Sequence, residues 1–245
     1  MITRHHISLG LGSLIILYLP LLAGCPSLLL VLAPGVCIGA VLPDIQMKKP
    51  KTLQLLTFAW LIIHIFKTTF LRTYIAIFNC VWHYRPVDSD KRLLHSLPGL
   101  VFVSGIAVTT VVLSWALFPS DGYAHWMRIF LGSIIFGMLF HFIADTCTRK
   151  GLCLFYPFSE AYLLAGTIRP CRRDDNRIRN FHMIVFTGAF IVFVFTIKGI
   201  LPGNLKYIGG IPVFVICTIL MLAGSGVELT YQSRPENHVF REEMS

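Results

Sequence analysis

The amino-acid sequence predicts an all-α polytopic membrane protein, with about six membrane-inserted helices in three hairpins and one further helix in the membrane interface. Apolar residues make up 55% of the 245 residues, charged residues only 13%, and the mean hydropathy is +0.71. A soluble globular chain has about 25% charged residues, so this chain lacks the charge to cover a soluble surface. Long apolar runs between Gly, Pro and charged residues complete the prediction, because helices satisfy their backbone hydrogen bonds inside a bilayer.

The first hairpin is predicted from two apolar runs, residues 7–23 and 28–42, on either side of the helix-breaking sequence Gly24-Cys25-Pro26. Residues 53–78 are also apolar on average, but they contain Lys67 and Arg72. Each of these charges would cost about 2.5–3.5 kcal/mol in the middle of a bilayer. We therefore predict that residues 53–78 lie along the membrane interface, where charged side chains reach water.

Four further apolar runs predict the second and third hairpins; they cover residues 97–117, 126–144, 181–197 and 207–222. The formal net charge is +9, with 21 Lys and Arg against 12 Asp and Glu. In the predicted topology, all of the Lys and Arg residues except Arg128, Lys198 and Lys206 lie on one side of the membrane. Since basic residues collect in cytoplasmic loops, this side and both termini are predicted to be cytoplasmic. Contact with anionic lipid accounts for the basic excess, and no specific nucleic-acid binding is expected.

Metal-ligating residue types stand at the ends of these apolar segments: His5 and His6, Asp44, His95, His141 and Asp145. His141 and Asp145 are spaced i, i+4, so a helix places them on one face, close enough to share an ion. In the predicted topology all of these groups reach the same membrane face, where ionisable residues are costly and therefore functional candidates. The pattern predicts a metal site of His5, Asp44, His95, His141 and Asp145. A structural polar network of the same residues is the alternative.

The chemistry of these ligands favours a divalent metal. Mixed His and carboxylate ligands without Cys suit Zn²⁺, with Mn²⁺ and Fe²⁺ as competitors. Such ions activate water and stabilise the attacking and leaving oxygens of a phosphoester. His5 or His6 would complete the metal shell or act as general base, so both are candidate catalytic residues. The sequence contains no Gly-x-Ser-x-Gly elbow, Walker loop or Gly-x-Gly-x-x-Gly fingerprint that would indicate another chemistry.

Five motifs carry a resemblance to a known family. They are Thr3-Arg4-His5-His6, Leu42-Pro43-Asp44, Lys91-Arg92-Leu93-Leu94-His95-Ser96, His141-x-x-x-Asp145 and Gly151-Leu152-Cys153-Leu154-Phe155-Tyr156-Pro157-Phe158-Ser159. In this order they resemble the YdjM-like family of bacterial and archaeal inner-membrane proteins, generally described as membrane-bound metal-dependent hydrolases. The resemblance covers about residues 1–165 and implies metal binding by the residues named above. More distantly, the pattern is similar to the zinc phospholipase C and P1 nuclease group, which implies hydrolysis of a phosphoester or a lipid headgroup at the surface of the lipid bilayer.

On this basis the chain divides into a membrane-embedded metal-dependent hydrolase-like domain (1–165), a basic loop with a C-terminal helical hairpin (166–227), and a polar tail (228–245). Two places depart from the family pattern. Gln46 stands where the family usually has a second acid, and Asp90-Lys91-Arg92 stands where the family commonly has His-Arg-Gly. These departures favour the alternative of a non-catalytic assembly or scaffold protein with a degenerate or structural metal site. A transporter is a third alternative, but transport sites usually lie near the bilayer midplane rather than at helix ends.

Overall fold

The computed structural model describes residues 3–46, 69, 72–82, 94–118, 122–156, 158–159, 161–170, 175–200 and 208–231. Seven α-helices follow one another in this part of the chain. They are α1 (Thr3–Leu22), α2 (Leu29–Val41), α3 (Arg72–Trp82), α4 (Leu97–Leu117), α5 (Gly122–Thr146), α6 (Arg177–Lys198) and α7 (Gly210–Ser225). Short 3-10 turns, Pro26–Leu28 and Leu42–Gln46, extend α2 at its two ends.

The apolar helices confirm the prediction of an all-α polytopic membrane protein. Within the described residues, five helical segments are long and apolar enough to cross a membrane. They are Arg4–Leu22, Pro26–Asp44, Leu97–Leu117, Ala124–Thr146 and Arg177–Lys198, and the apolar helix Gly210–Ser225 is shorter. The predicted interfacial segment, residues 53–78, lies largely outside the described residues, and only its C-terminal part falls in α3. Its placement in the membrane interface therefore stays a prediction.

Local sequence explains where the helices begin and end. Ser96 caps α4, because its hydroxyl accepts a hydrogen bond from the backbone N–H of Gly99 at 3.2 Å. Gly199 and Gly226 end α6 and α7 with a φ of 59°, the left-handed conformation that favours glycine. The helices pair in the predicted hairpin pattern, since α1 contacts α2, α4 contacts α5, and α6 contacts α7.

Small residues bring α2 and α5 into the most extensive helix–helix contact of the described chain. A side-chain carbon at Gly39 would collide with the carbonyl oxygen of Ile134, and one at Gly137 with that of Val36. Glycine at such positions lets the backbones of membrane helices approach closely. The approach places the end of α2, which leads into Asp44, beside the part of α5 that carries His141.

The helix α1 joins the first hairpin to the third. It packs against α6 and α7 through a buried apolar cluster that includes Leu9 and Ile16 of α1 and Val185 of α6. The outward faces of α4 and α6 are apolar and exposed, for example at Val108, Trp115, Phe186 and Phe190. In a multi-pass membrane protein these faces contact the lipid bilayer.

A small antiparallel sheet lies at one end of the bundle, in the order β1 (Leu152–Cys153), β2 (Tyr162–Ala165) and β3 (Glu228–Tyr231). The strand β1 closely follows the C-terminal end of α5, and β3 closely follows that of α7. The four residues of β3 are exposed, yet they pair with β2. The start of the predicted polar tail is therefore attached by strand pairing to the predicted first domain.

Candidate metal centre

Four helix ends meet at the end of the bundle that carries the sheet. His6 lies in the first turns of α1, Asp44 in the 3-10 turn after α2, His95 just before α4, and His141 and Asp145 in the last turns of α5. The N-terminal ends of α1 and α4 therefore lie beside the C-terminal ends of α2 and α5. The structure thus places Asp44, His95, His141 and Asp145 together at one end of the bundle, as the predicted topology requires.

Three of these residues form a triangle of donor atoms. His95 Nε2 lies 3.2 Å from His141 Nε2 and 3.5 Å from Asp145 Oδ2, and His141 Nε2 lies 3.3 Å from Asp145 Oδ2. In a tetrahedral zinc site with ligand bonds of 2.0–2.2 Å, neighbouring donor atoms are roughly 3.3–3.5 Å apart. The triangle therefore has the dimensions of one face of such a tetrahedron.

A hydrogen bond on the side of the ring away from the triangle fixes the orientation of His141. Its Nδ1 lies 2.7 Å from the carbonyl oxygen of Ala40 in α2. Because a carbonyl oxygen can only accept, Nδ1 carries a proton and donates it. In the neutral ring, Nε2 then presents its lone pair to the centre, which is how metal-binding histidines are commonly oriented.

His6 and Asp44 complete the cluster. Asp44 Oδ1 lies 3.5 Å from His95 Nε2, and ligand atoms of His6, Asp44 and His141 lie within 4.8 Å of one another. The His6 ring stacks on the His141 ring with centroids 3.9 Å apart. His6 Nε2 is 3.2 Å from Asp145 Oδ1, but neither ring nitrogen of His6 makes a well-formed hydrogen bond within the described chain. A buried nitrogen whose lone pair has no partner costs about 1–3 kcal/mol, and a bound cation would relieve that cost by accepting the lone pair.

The cluster is buried on the side of His6 and His141 and partly open to solvent at its other three residues. The side chains of His6 and His141 are fully buried, whereas those of His95, Asp44 and Asp145 remain about one-tenth exposed.

Burial alone would lower the pKa of His95, but hydrogen bonds and charge interactions with Asp145 and Asp44 raise this pKa to about 9. In the absence of a metal ion, His95 therefore holds a proton at neutral pH, and a metal ion must compete with it.

His5 lies outside the cluster, although the sequence pattern predicts it as a ligand. Its ring makes an edge contact with His182 of α6, with centroids 5.4 Å apart. Consecutive helical residues point about 100° apart, so only one of His5 and His6 can face the centre. The structure places His6 there. The side chains of Gln46, Asp90, Lys91 and Arg92 are not among those that the structure describes.

The chain matches a family model over most of its length. The model of a family described as YdjM inner membrane protein matches residues 1–228. The chain belongs to the YdjM inner membrane protein family. No curated protein and no solved structure matches the chain.

The family match extends further along the chain than the predicted resemblance. The YdjM match runs through the third hairpin to the first residue of β3, well past the resemblance over residues 1–165. Together with the five apolar helices, membership of the YdjM family makes the chain a multi-pass inner-membrane protein.

Proposed function

We propose that this YdjM family protein is a metal-dependent hydrolase that acts on a phosphoester or a lipid headgroup at the membrane face. The proposal rests on the triangle of His95, His141 and Asp145, with donor atoms 3.2–3.5 Å apart. Two histidines and one carboxylate with an open fourth position form a ligand set typical of catalytic zinc sites. Zn²⁺ is the favoured ion, with Mn²⁺ and Fe²⁺ as alternatives.

The chain holds this triad in place through its backbone. The backbone N–H of Leu97 donates to the carbonyl oxygen of Leu154 at 2.9 Å, which ties the segment of His95 to the turn after β1. The backbone N–H and the hydroxyl of Thr148 both donate to the carbonyl oxygen of Asp145, at 2.9 and 2.8 Å. Metal ligands on segments fixed in this way lose little conformational entropy when they bind an ion.

Zinc in this triad would lower the pKa of a coordinated water towards 7 and stabilise negative charge on a phosphoryl oxygen. The transfer of the proton from this water is assigned to His6 and Asp44. Both lie beside the triad, and each can accept a proton through an imidazole nitrogen or a carboxylate oxygen. In this proposal His6 and Asp44 hold and pass the proton, so His6 takes the general-base role considered for His5 or His6.

The test is hydrolysis by the purified protein in detergent micelles, with bis(4-nitrophenyl) phosphate and phosphatidylglycerol as substrates and Zn²⁺, Mn²⁺ or Fe²⁺ added. We expect metal-dependent turnover that falls to the background rate in His95→Ala. His125→Ala is the matched control, because His125 is exposed near the opposite end of α5. Turnover that is equal in the two variants, or no turnover with any of these ions and substrates, would contradict the proposal.

A second candidate function is a non-catalytic assembly protein with a structural metal. The observation in its favour is that His6 and Asp44 stand close enough to fill the shell left open by the triad. Structural zinc sites are closed in this way, whereas catalytic sites keep a position for water. Cobalt substitution separates the two, because an added anion such as azide changes the visible spectrum of Co²⁺ only if a position is open.

We also infer that the metal-site end of the bundle faces the cytoplasm. Six basic residues of the described chain lie near this end: Arg4, Arg149, Lys150, Arg169, Arg177 and Arg179. Arg128 and Lys198 lie near the other end, and the excess of positive charge marks the cytoplasmic side. A variant that keeps only Cys25, which is exposed at the end away from the metal site, should react with an impermeant maleimide added to spheroplasts. Labelling only after lysis would contradict this orientation.

A further inference from the structure

A second site candidate lies on a different face of α1 from the metal centre. It is a cleft of about 330 Å³ between the N-terminal turns of α1, the N-terminal turns of α6 and the residues Pro170 and Asp175 that precede α6. Its lining residues are His5, Pro170, Asp175, Ile178, Arg179 and His182. Since His5 precedes His6, the cleft and the metal centre are adjacent along α1.

The charge of the cleft is positive once its ion pair is considered. Asp175 accepts hydrogen bonds from Arg177 Nε at 2.9 Å and Arg177 Nη2 at 2.7 Å. It also accepts a hydrogen bond from the backbone N–H of Arg169 at 3.0 Å. The Arg177 guanidinium holds the pKa of this carboxyl well below its usual range, so Asp175 is ionised and compensated by Arg177. Arg179 is exposed and makes no ion pair or hydrogen bond with the described residues, so none of these residues compensates its charge.

The histidines of the cleft differ in their partners. His182 Nδ1 donates to the carbonyl oxygen of Ile178 at 2.8 Å, and its Nε2 forms a hydrogen bond of 2.7 Å with the Ser8 hydroxyl, which also lies 3.2 Å from the carbonyl oxygen of His5. Both ring nitrogens of His182 thus make hydrogen bonds, which fix the orientation of the ring at one side of the cleft. The His5 ring makes an edge contact with the His182 ring, and the nitrogens of His5 make no hydrogen bond to the described chain. Arg179 and His5 are therefore the donors that a ligand would meet.

We propose that this cleft binds the phosphate group of an anionic ligand, with Arg179 and His5 as its donors. A guanidinium binds phosphate through two parallel hydrogen bonds, and an imidazole N–H adds a third. The volume of the cleft falls within the range of small-ligand sites. Its place at the end of the bundle, beside the lipid-facing helix α6, is where the phosphates of membrane lipids lie. The ligand phosphate therefore comes from a lipid headgroup or from a soluble phosphate compound, and the proposal does not depend on the metal centre.

The experiment is a binding titration of the full-length protein in nonionic detergent, with EDTA present so that a metal contributes nothing. Dioctanoyl phosphatidic acid is the probe, and dioctanoylglycerol is the same lipid without phosphate. We expect Arg179→Gln to weaken binding of the phosphatidic acid about tenfold or more, the effect of losing a hydrogen bond to a charged group. Lys198→Gln removes the same charge from the opposite end of α6 and should leave binding unchanged.

Two further arms complete the design. Displacement of the phosphatidic acid by millimolar inorganic phosphate would identify a soluble phosphate compound as the ligand, and no displacement would identify a lipid headgroup. His5→Gln should also weaken binding, and it provides the test if Arg179→Gln does not fold. Wild-type binding in folded Arg179→Gln and His5→Gln proteins, or equal affinity for dioctanoylglycerol, would overturn the proposal.

Discussion

Replacing Asp145 by Asn removes a negative metal ligand while keeping the size of the side chain. The Asp145 carboxylate is the common neighbour of three imidazoles, at 3.3 Å from His141, 3.5 Å from His95 and 3.2 Å from His6. Zinc binding contributes about 10–16 kcal/mol in structural sites, which is roughly 3 kcal/mol for each of four ligands. Asp145→Asn should therefore lower the affinity for zinc by about 100-fold or more.

The assay is competition for zinc between the purified protein and a chromophoric chelator at fixed pH. Asp175→Asn is the matched control, because it makes the same chemical change outside the metal centre and should leave the affinity unchanged. Size-exclusion chromatography verifies that each variant is folded, and His95→Ala, in the segment before α4, is a second ligand variant. A folded Asp145→Asn protein that binds zinc as tightly as the wild type would refute the assignment of this carboxylate.

Three further predictions concern packing, the two adjacent histidines and pH. Gly39→Ala pushes a methyl group against a backbone carbonyl of α5 and should cost about 1–3 kcal/mol, seen as a lower thermal midpoint; Gly105→Ala, whose new carbon meets nothing within 4 Å, should not lower it. Chelator competition should show weaker zinc binding in His6→Ala, because the His6 ring stacks on the ring of the ligand His141, but not in His5→Ala; equal losses would place His5 in the centre. The pKa of His95 is raised from 6.5 to about 9, so protonation stabilises the metal-free fold below pH 6.5, and this contribution is lost as the pH rises through 9. Since zinc must displace this proton, its affinity should rise with pH up to about 9, and a constant affinity from pH 7 to 9 would contradict the competition.

Most helices could be predicted from the sequence because each apolar run is bounded by Gly, Pro or charge. The predicted segment 97–117 matches α4, whose start is marked by a Ser cap and Pro98. The predicted segment 126–144 is shorter than α5, since a helix continues through polar residues as long as its backbone hydrogen bonds are satisfied. This extension matters for the site, because it keeps Asp145 on the same helical face as His141.

The site could be predicted only in part. The i, i+4 spacing and the hairpin topology bring His95, His141 and Asp145 to one end without knowledge of tertiary contacts. The choice between His5 and His6 depends on the rotation of α1, and apolar residues on all sides of this helix leave that rotation undefined in the sequence. The carbonyl of Ala40 that orients His141, and the pairing of β3 with β2, are tertiary contacts with no pattern long enough to predict.

The metal content of the purified full-length protein tests the central claim most directly. The protein is purified without chelators, incubated with Zn²⁺, Mn²⁺ or Fe²⁺, passed through gel filtration and subjected to elemental analysis. If His95, His141 and Asp145 hold a divalent ion, about one ion per chain should remain bound, with zinc retained best. No retained transition metal in any preparation would contradict the metal centre and would leave these residues as a structural polar network.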